Sequence, residues 1–274
     1  MNTNNLQQLL TEIDAAKARL DALRTDNNPA LIHALDIEYT FESNRIEGNT
    51  LTLRETGLVI DKGLTVGGKS MREHLEAINH YEAVLLLHEL VQAKTTLSES
   101  LVKQLHGLIL RGIDRDNAGR YRSLPVLIAG SRHVPPQPWQ VPILMEECFR
   151  FYKDRSFVFG GARDTLPSMT GVQQTPLHPV QLAAEMHERI ATIHPFIDGN
   201  GRTSRLVMNL ILLLHGYPIA NIPGDTESRL AYYAALETAN LDGKKEPFIL
   251  LIGGVVLATT RRLLELTNGG PVRN

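Results

Sequence analysis

Residues 194–205 read His194-Pro195-Phe196-Ile197-Asp198-Gly199-Asn200-Gly201-Arg202-Thr203-Ser204-Arg205, and the spacing of polar groups in this stretch sets what the surrounding helices must build. A helical pattern ends at Ile193, and Pro195 prevents its continuation. Gly199, Asn200 and Gly201 allow backbone angles that turn several N–H groups towards one point. A helix over 202–214 follows at once and adds the positive end of its dipole. Together these features make an anion cradle whose natural occupant is phosphate. Arg202 and Arg205, three apart, can serve neighbouring phosphate oxygens as fork-shaped donors. Asp198 is a hard oxygen ligand at the mouth, suited to Mg²⁺. His194 has the intrinsic pKa to take a proton from a hydroxyl. Taken singly, each residue has an ordinary structural role, as a helix-end histidine, a turn or a solvated arginine. Within twelve residues they compose a base, a metal ligand, a nest and two charge clamps.

Outward from this stretch the pattern is helical almost throughout, and the fold class it predicts is all-α. Leu6, Leu9, Leu10, Ile13, Leu20 and Leu23 mark a first amphipathic helix. Pro29 starts a second, running towards Gly48 as a C-cap, and Thr50 or Thr52 caps a short helix to Lys62. Further helices are expected over 69–93, from Ser98 to near Gly112, and over 140–153, 179–193, 226–241 and 247–266. The segment 121–138 is different: Val126, Leu127 and Ile128, then Gly130-Ser131, then His133-Val134 predict a small β-hairpin ended by Pro135, Pro136 and Pro138. Residues 157–177 are rich in Gly, Pro and Thr without periodicity and read as a long surface loop. With no clean linker, 1–93 is expected to form a helical arm and 94–274 the catalytic core with its C-terminal helices.

Composition narrows the class. The 274 residues are 43% hydrophobic and 21% charged with net charge -2, so no global basic field points to nucleic acid or an anionic membrane. One cysteine, Cys148, excludes an internal disulfide and a Cys-based zinc site and fits a reducing, cytoplasmic setting. The start of the chain lacks the pattern of a secretory signal. The apolar run 248–260 is too short to span a bilayer and reads as a buried helix.

The stretch 194–205 resembles the signature of the Fic family, His-x-Phe-x-(Asp/Glu)-Gly-Asn-Gly-Arg-x-x-Arg, at every defined position. The resemblance continues in Gly119-Arg120-Tyr121-Arg122 with Val126 to Pro136, similar to the family's flap, in His178-Pro179, and in Tyr232-Tyr233 and Asn240 at positions that hold adenine in chaperone-modifying members. Upstream, Ser43-Asn44-Arg45-Ile46-Glu47-Gly48 resembles the family's inhibitory pattern, (Ser/Thr)-x-x-x-Glu-(Gly/Asn), and is followed by Asn49-Thr50-Leu51-Thr52 as in those members. The tetratricopeptide repeats and membrane anchor of such relatives have no counterpart here, nor does a winged helix.

The resemblance implies a Fic-type helical domain and a protein adenylyltransferase that uses ATP and Mg²⁺. His194 would be the base and Asp198 the metal ligand. Gly199, Asn200, Gly201, Arg202, Arg205, Tyr233 and Asn240 would bind nucleotide, Val126, Leu127 and Ile128 would dock the target, and Glu47 would inhibit. The acceptor would be a Tyr, Ser or Thr hydroxyl of a target protein, with self-modification and a homodimer also implied. Two alternatives stand beside this: a hydrolase that removes AMP with Glu47 aligning water, and a catalytically silent adaptor binding peptides at the flap.

Overall fold

The computed structural model describes residues 3–23, 28–156 and 175–267. Among these residues there are ten α-helices, one short 3₁₀ turn at Pro138–Gln140 and no strand. The helices are α1 (Thr3–Leu23), α2 (Pro29–Ile46), α3 (Leu53–Lys62), α4 (Met71–Gln92), α5 (Glu99–Ile109), α6 (Val141–Arg155), α7 (Pro179–Ile193), α8 (Asn200–Leu214), α9 (Thr226–Asp242) and α10 (Glu246–Thr267). Most of the long loop expected over 157–177 lies outside the described residues.

Helix α8 is the centre. Every residue from Arg202 to Leu212 is buried, the polar first turns as well as the apolar run from Leu206. Its widest packing is on α7, and α4, α5 and α2 cover its other faces. The loop 194–199 therefore sits at one end of the α7–α8 pair, under the ends of helices from the first half of the chain. Helix α1 lies along α10. Gly253 makes that approach possible, since a Cβ there would come within 2.8 Å of Leu9 Cδ2. Helix α10 is long and apolar enough by composition to cross a bilayer. Here it is a core helix, packed on α1, α7 and α9.

Local signals account for the helix ends that matter to the site. Thr52 and Ser70 each form a capping box, with Glu55 and Glu73 returning to the cap backbone. Helix α2 ends at Glu47, whose N–H donates to Asn44 O, and Gly48 at φ +93 turns the chain away immediately afterwards. That φ favours glycine, so the turn leaves Glu47 at the tip of α2.

The segment 121–138 departs from expectation. It reverses direction, with a Ser131 N–H to Ile128 O hydrogen bond at the bend, but it forms no ladder. Prolines at 125, 135, 136 and 138 carry no N–H, and no neighbouring strand exists to receive the rest. The buried Arg122 holds the loop instead, donating to Leu124 O at 3.2 Å and Pro136 O at 2.5 Å. Val126, Leu127 and Ile128 thus lie in a loop without regular structure, not in a hairpin strand.

Residues of α1, α2, α4 and α5 share one continuous apolar core with α7, α8 and α10. Ile13, fully buried in α1, is expected to cost about 2–5 kcal/mol when replaced by Ala. Denaturant unfolding should show that loss as a single transition; a second, separate transition would mean the first helix is not part of this core.

Candidate active site

The loop 194–199 is held from three sides. Asn200 locks it internally: its Oδ1 accepts from the Phe196 N–H and its Nδ2 donates to Phe196 O, both at 2.9 Å. His106 stacks on the Phe196 ring with centroids 3.6 Å apart. The Gly119 N–H donates to His106 Nδ1, so His106 Nε2 carries the proton it donates to Asp198 O at 2.9 Å. Burial keeps that imidazole neutral, with its pKa lowered to about 4. Arg122 supplies the third hold, donating from Nε to His194 O at 2.7 Å while its N–H bonds Pro195 O.

His194 is the residue after α7 and adopts φ +50, a left-handed conformation that costs a non-glycine residue about 1–2 kcal/mol. Its Nδ1 faces Ala191 O at 3.4 Å; a carbonyl only accepts, so Nδ1 bears the hydrogen and Nε2 keeps a free lone pair. Burial lowers the His194 pKa below the ordinary imidazole value, helped by Arg122 and opposed by Ala191 O and Glu47. The ring is therefore neutral at pH 7 and able to accept a proton.

The two arginines differ. Arg202 is buried, and neither its Nε nor its Nη1 makes a hydrogen bond. Its ion pairs are loose, 3.3 Å from Nη1 to Glu76 and 3.6 Å from Nη2 to Asp198. Buried N–H groups without partners are costly, and here they lie beside the open N–H groups of the first turn of α8. The pair suits an incoming anion. Arg205, 1% exposed, is fully engaged. Its Nε donates to Ser43 Oγ at 3.0 Å, and its Nη2 donates to Ser43 O at 2.8 Å and Glu47 Oε1 at 2.7 Å. Beneath it Tyr232 OH lies 3.4 Å from Nη1 and 3.0 Å from the buried His187. Burial alone would depress the guanidinium pKa; the Glu47 carboxylate, with Tyr232 and Tyr39, more than offsets it and raises it.

Glu47, with its side chain 30% exposed, lies directly over Gly201, where any Cβ would overlap its carboxylate. Ser43 and Glu47 are one helical turn apart, so both reach the same guanidinium. Sequence reading quoted Ser43 without assigning it a contact; the four-residue spacing was the available signal.

Asp198 Oδ1 accepts from the Gly199 N–H at 2.6 Å and Oδ2 pairs with Arg72 at 2.5 Å. Burial raises its pKa, but Arg202, the Gly199 N–H and Arg72 outweigh that and keep it below the usual carboxylate value. Among the described residues no cluster of three or more His, Cys, Asp or Glu side chains could hold a metal alone. One carboxylate completed by phosphate oxygens and water is how Mg²⁺ is commonly held at nucleotide sites, so Asp198 fits the ion only together with a nucleotide.

Other expected positions are placed less directly. The Asn200 side chain is spent on Phe196, which leaves its backbone N–H for a ligand. Tyr233 donates its hydroxyl to Ile46 O at 3.2 Å, gripping the last turn of α2. Asn240 Oδ1 lies against the Thr192 hydroxyl beside the site. On the flap Leu127 is 83% exposed. Arg132 anchors that loop to Glu237, and His133 donates to Thr192 O.

The sequence profile of the Fic/DOC family matches residues 96–212. Protein adenylyltransferase Fic of Drosophila willistoni is 34% identical over 97% of this chain and 49% of its own length. The Drosophila melanogaster protein of that name is 31% identical over 97% of this chain and 50% of its own length. The chain thus spans about half the length of the curated relatives it matches. Among solved structures, a Fic domain containing signaling protein from Bacteroides thetaiotaomicron superposes with a TM-score of 0.80 at 26% identity, covering 96% of this chain and 99% of that one. Fic-1 from C. elegans superposes with a TM-score of 0.75 at 26% identity, covering 96% and 73%.

Gly199 sits at φ +73, and a Cβ there would lie 3.3 Å from Ile109 Cγ2 and 3.4 Å from His106 Cδ2. Gly199→Ala is expected to lower stability by about 1–3 kcal/mol and to weaken ATP binding. Thermal melts and titration calorimetry check both. An unchanged melting curve and affinity would show that this turn is not the constraint on the loop.

Proposed function

The chain belongs to the Fic/DOC family, and from that membership and the geometry of its site we propose that it moves AMP from ATP to a hydroxyl of a target protein. The carrying observation is the pairing of a neutral, correctly tautomeric His194 with the unspent donors of the buried Arg202 at the start of α8. A phosphate chain laid on those donors brings an α-phosphate within the reach of a hydroxyl presented along the flap. That hydroxyl gives its proton to His194 Nε2, its oxygen bonds to the α-phosphorus, and pyrophosphate leaves. Arg202 and the α8 N–H groups hold the phosphates, and fixed donors of this kind supply most of the acceleration in phosphoryl-type transfer. Asp198 would hold Mg²⁺ together with phosphate oxygens, and the ion would offset phosphate charge. Tyr233 and Asn240 border the same end of the site, where the adenine is expected. Val126, Leu127 and Ile128 offer backbone N–H and C=O groups to an extended target segment, a common mode of peptide capture. The single, buried Cys148, its thiol pushed up to about 12 by burial, suits a reducing cytoplasm.

We further assign Glu47 as an intrinsic brake. Arg205 is the outer clamp of the cradle and Glu47 occupies it. Carboxylate and phosphate compete for the same fork of donors. Holding the competent arrangement to one molecule in a hundred takes about 2.7 kcal/mol, within the range of a charge-assisted hydrogen bond to a buried guanidinium together with the packing of α2. ATP that binds with Glu47 in place would have its phosphates displaced from the productive position.

Two experiments test the reading. His194→Ala in a Glu47→Gly background is expected to lower AMP transfer by about 10²–10⁴-fold with ATP binding retained; a near-full rate would remove His194 as the base. The second is the pH profile of kcat/KM in the same background. His194 acts deprotonated and its pKa is lowered, so activity should be flat above neutrality and fall on the acid side of the ordinary imidazole value. Loss of Glu47 removes an influence that raises that pKa, so the fall should not move to higher pH. An acid limb above pH 7 would contradict the assignment.

A further inference from the structure

We propose that Arg72, on α4, is a positioning residue that holds the Asp198 carboxylate and must release it before Asp198 takes a divalent cation. The inference rests on the reading of Asp198 as the metal ligand.

Both oxygens of Asp198 are engaged. The Gly199 N–H holds Oδ1 at 2.6 Å, with Arg202 Nη2 at 3.6 Å from the same oxygen. Arg72 Nη2 holds Oδ2 at 2.5 Å. A hard cation needs carboxylate lone pairs and is repelled by a guanidinium hydrogen-bonded to them. Each oxygen has a second lone pair, so it is the repulsion between the cation and the nearby guanidinium groups that favours the withdrawal of one of them. Gly199 is backbone in a locked loop, and the Arg202 side chain is buried. Arg72 is the free one: its side chain is 56% exposed, and that of Asp198 is 41% exposed.

Arg72 also has somewhere to remain. Its Nε donates to Glu76 Oε1 at 3.1 Å. The same Glu76 oxygen faces Arg202 Nη1 at 3.3 Å, and Glu76 Oε2 accepts from Asn49 Nδ2 at 3.0 Å. Arg72, Glu76, Arg202 and Asp198 thus form a closed group of two cations and two anions. The member that yields to a metal is tethered one helical turn from where it started. Asn49 lies two residues after Glu47, so one carboxylate, Glu76, links the tip of α2 to the group that covers the metal ligand. The arm helices would then restrain the site twice: Glu47 on the phosphate clamp and Arg72 on the metal ligand.

The test is ATP affinity by titration calorimetry, in EDTA and in saturating Mg²⁺, on the full chain. The quantity read is the ratio of the two dissociation constants, which reports how much the metal strengthens nucleotide binding. An exposed ion pair is modest in strength, so Arg72→Ala and Arg72→Gln should each raise that ratio about two- to five-fold, with the EDTA affinity unchanged. In an Asp198→Ala background the Arg72 substitutions should change nothing. If Asp198→Ala lowers the ratio but the Arg72 variants leave it at the wild-type value, Arg72 does not restrain Asp198. Weaker binding in EDTA as well as in Mg²⁺ would make Arg72 a direct phosphate contact and equally overturn the proposal. If Asp198→Ala itself leaves the ratio unchanged, Asp198 is not the metal ligand and both readings fall. Far-UV circular dichroism on each variant separates these outcomes from loss of fold.

Discussion

A guanidinium removed from water has to be matched by fixed acceptors, and Arg205 imposes that requirement at the centre of the molecule. It projects from α8 into a space where, among the described residues, α2 and Tyr232 answer it. Removing one partner of such a group typically costs several kcal/mol. The docking of α2 therefore follows from the presence of Arg205, and Ser43 and Glu47 supply both kinds of acceptor from one helical turn. The other contacts of α2 refine that placement. Asn44 and Asn49 bond the α4 backbone, and Tyr233 holds Ile46 O from the opposite side. A phosphate could satisfy Arg205 as well as Glu47 does, so one requirement can stabilise both a resting and a nucleotide-bound arrangement.

The same economy appears in the loop 194–199. Its six residues include a left-handed histidine, which carries conformational cost, and four backbone carbonyls, those of His194, Pro195, Phe196 and Asp198, that need partners. Asn200, the stacked His106–Phe196 pair and Arg122 absorb the cost and supply the partners. Arg122 also gathers the flap, bonding Leu124 O and Pro136 O alongside His194 O. A displacement of the flap by a docked segment would thus be felt directly at the backbone of His194. The flap has no ladder of its own, and side chains and its bend, rather than a partner strand, hold Leu124 O, Ile128 O and Pro136 O.

The legibility of these features from sequence follows the range of the interactions. Residues 194–205 could be read because every chemical group lies within three turns of chain, where spacing alone fixes proximity. Helix bounds were readable where a cap left a local mark, as at Thr52 and Ser98. The flap misled, because the apolar run Val126-Leu127-Ile128 has strand character but a strand exists only with a partner, and that is a tertiary fact. Arg72, Glu76 and Arg122 could not be placed at the site from sequence, since the partners that bring them there, Asp198, Arg202 and His194, lie about 70 to 130 positions away. The hold of the Asn200 side chain on Phe196 depends on the fold of the loop and is not legible from its place in the motif. Tyr233 belongs partly to the same class: its aromatic character was legible, but its grip on α2 depends on how α9 crosses the end of that helix.

The central claim is that Glu47 and the nucleotide compete for Arg205. Its most direct measurement is the rate of AMP incorporation, read by intact mass, for the wild-type and Glu47→Gly proteins with Mg²⁺ and ATP. The account predicts a rise of at least tenfold on removing Glu47, with mass added in steps of one AMP and abolished by a further Arg205→Ala substitution. An unchanged or lower rate in a folded Glu47→Gly protein would contradict it.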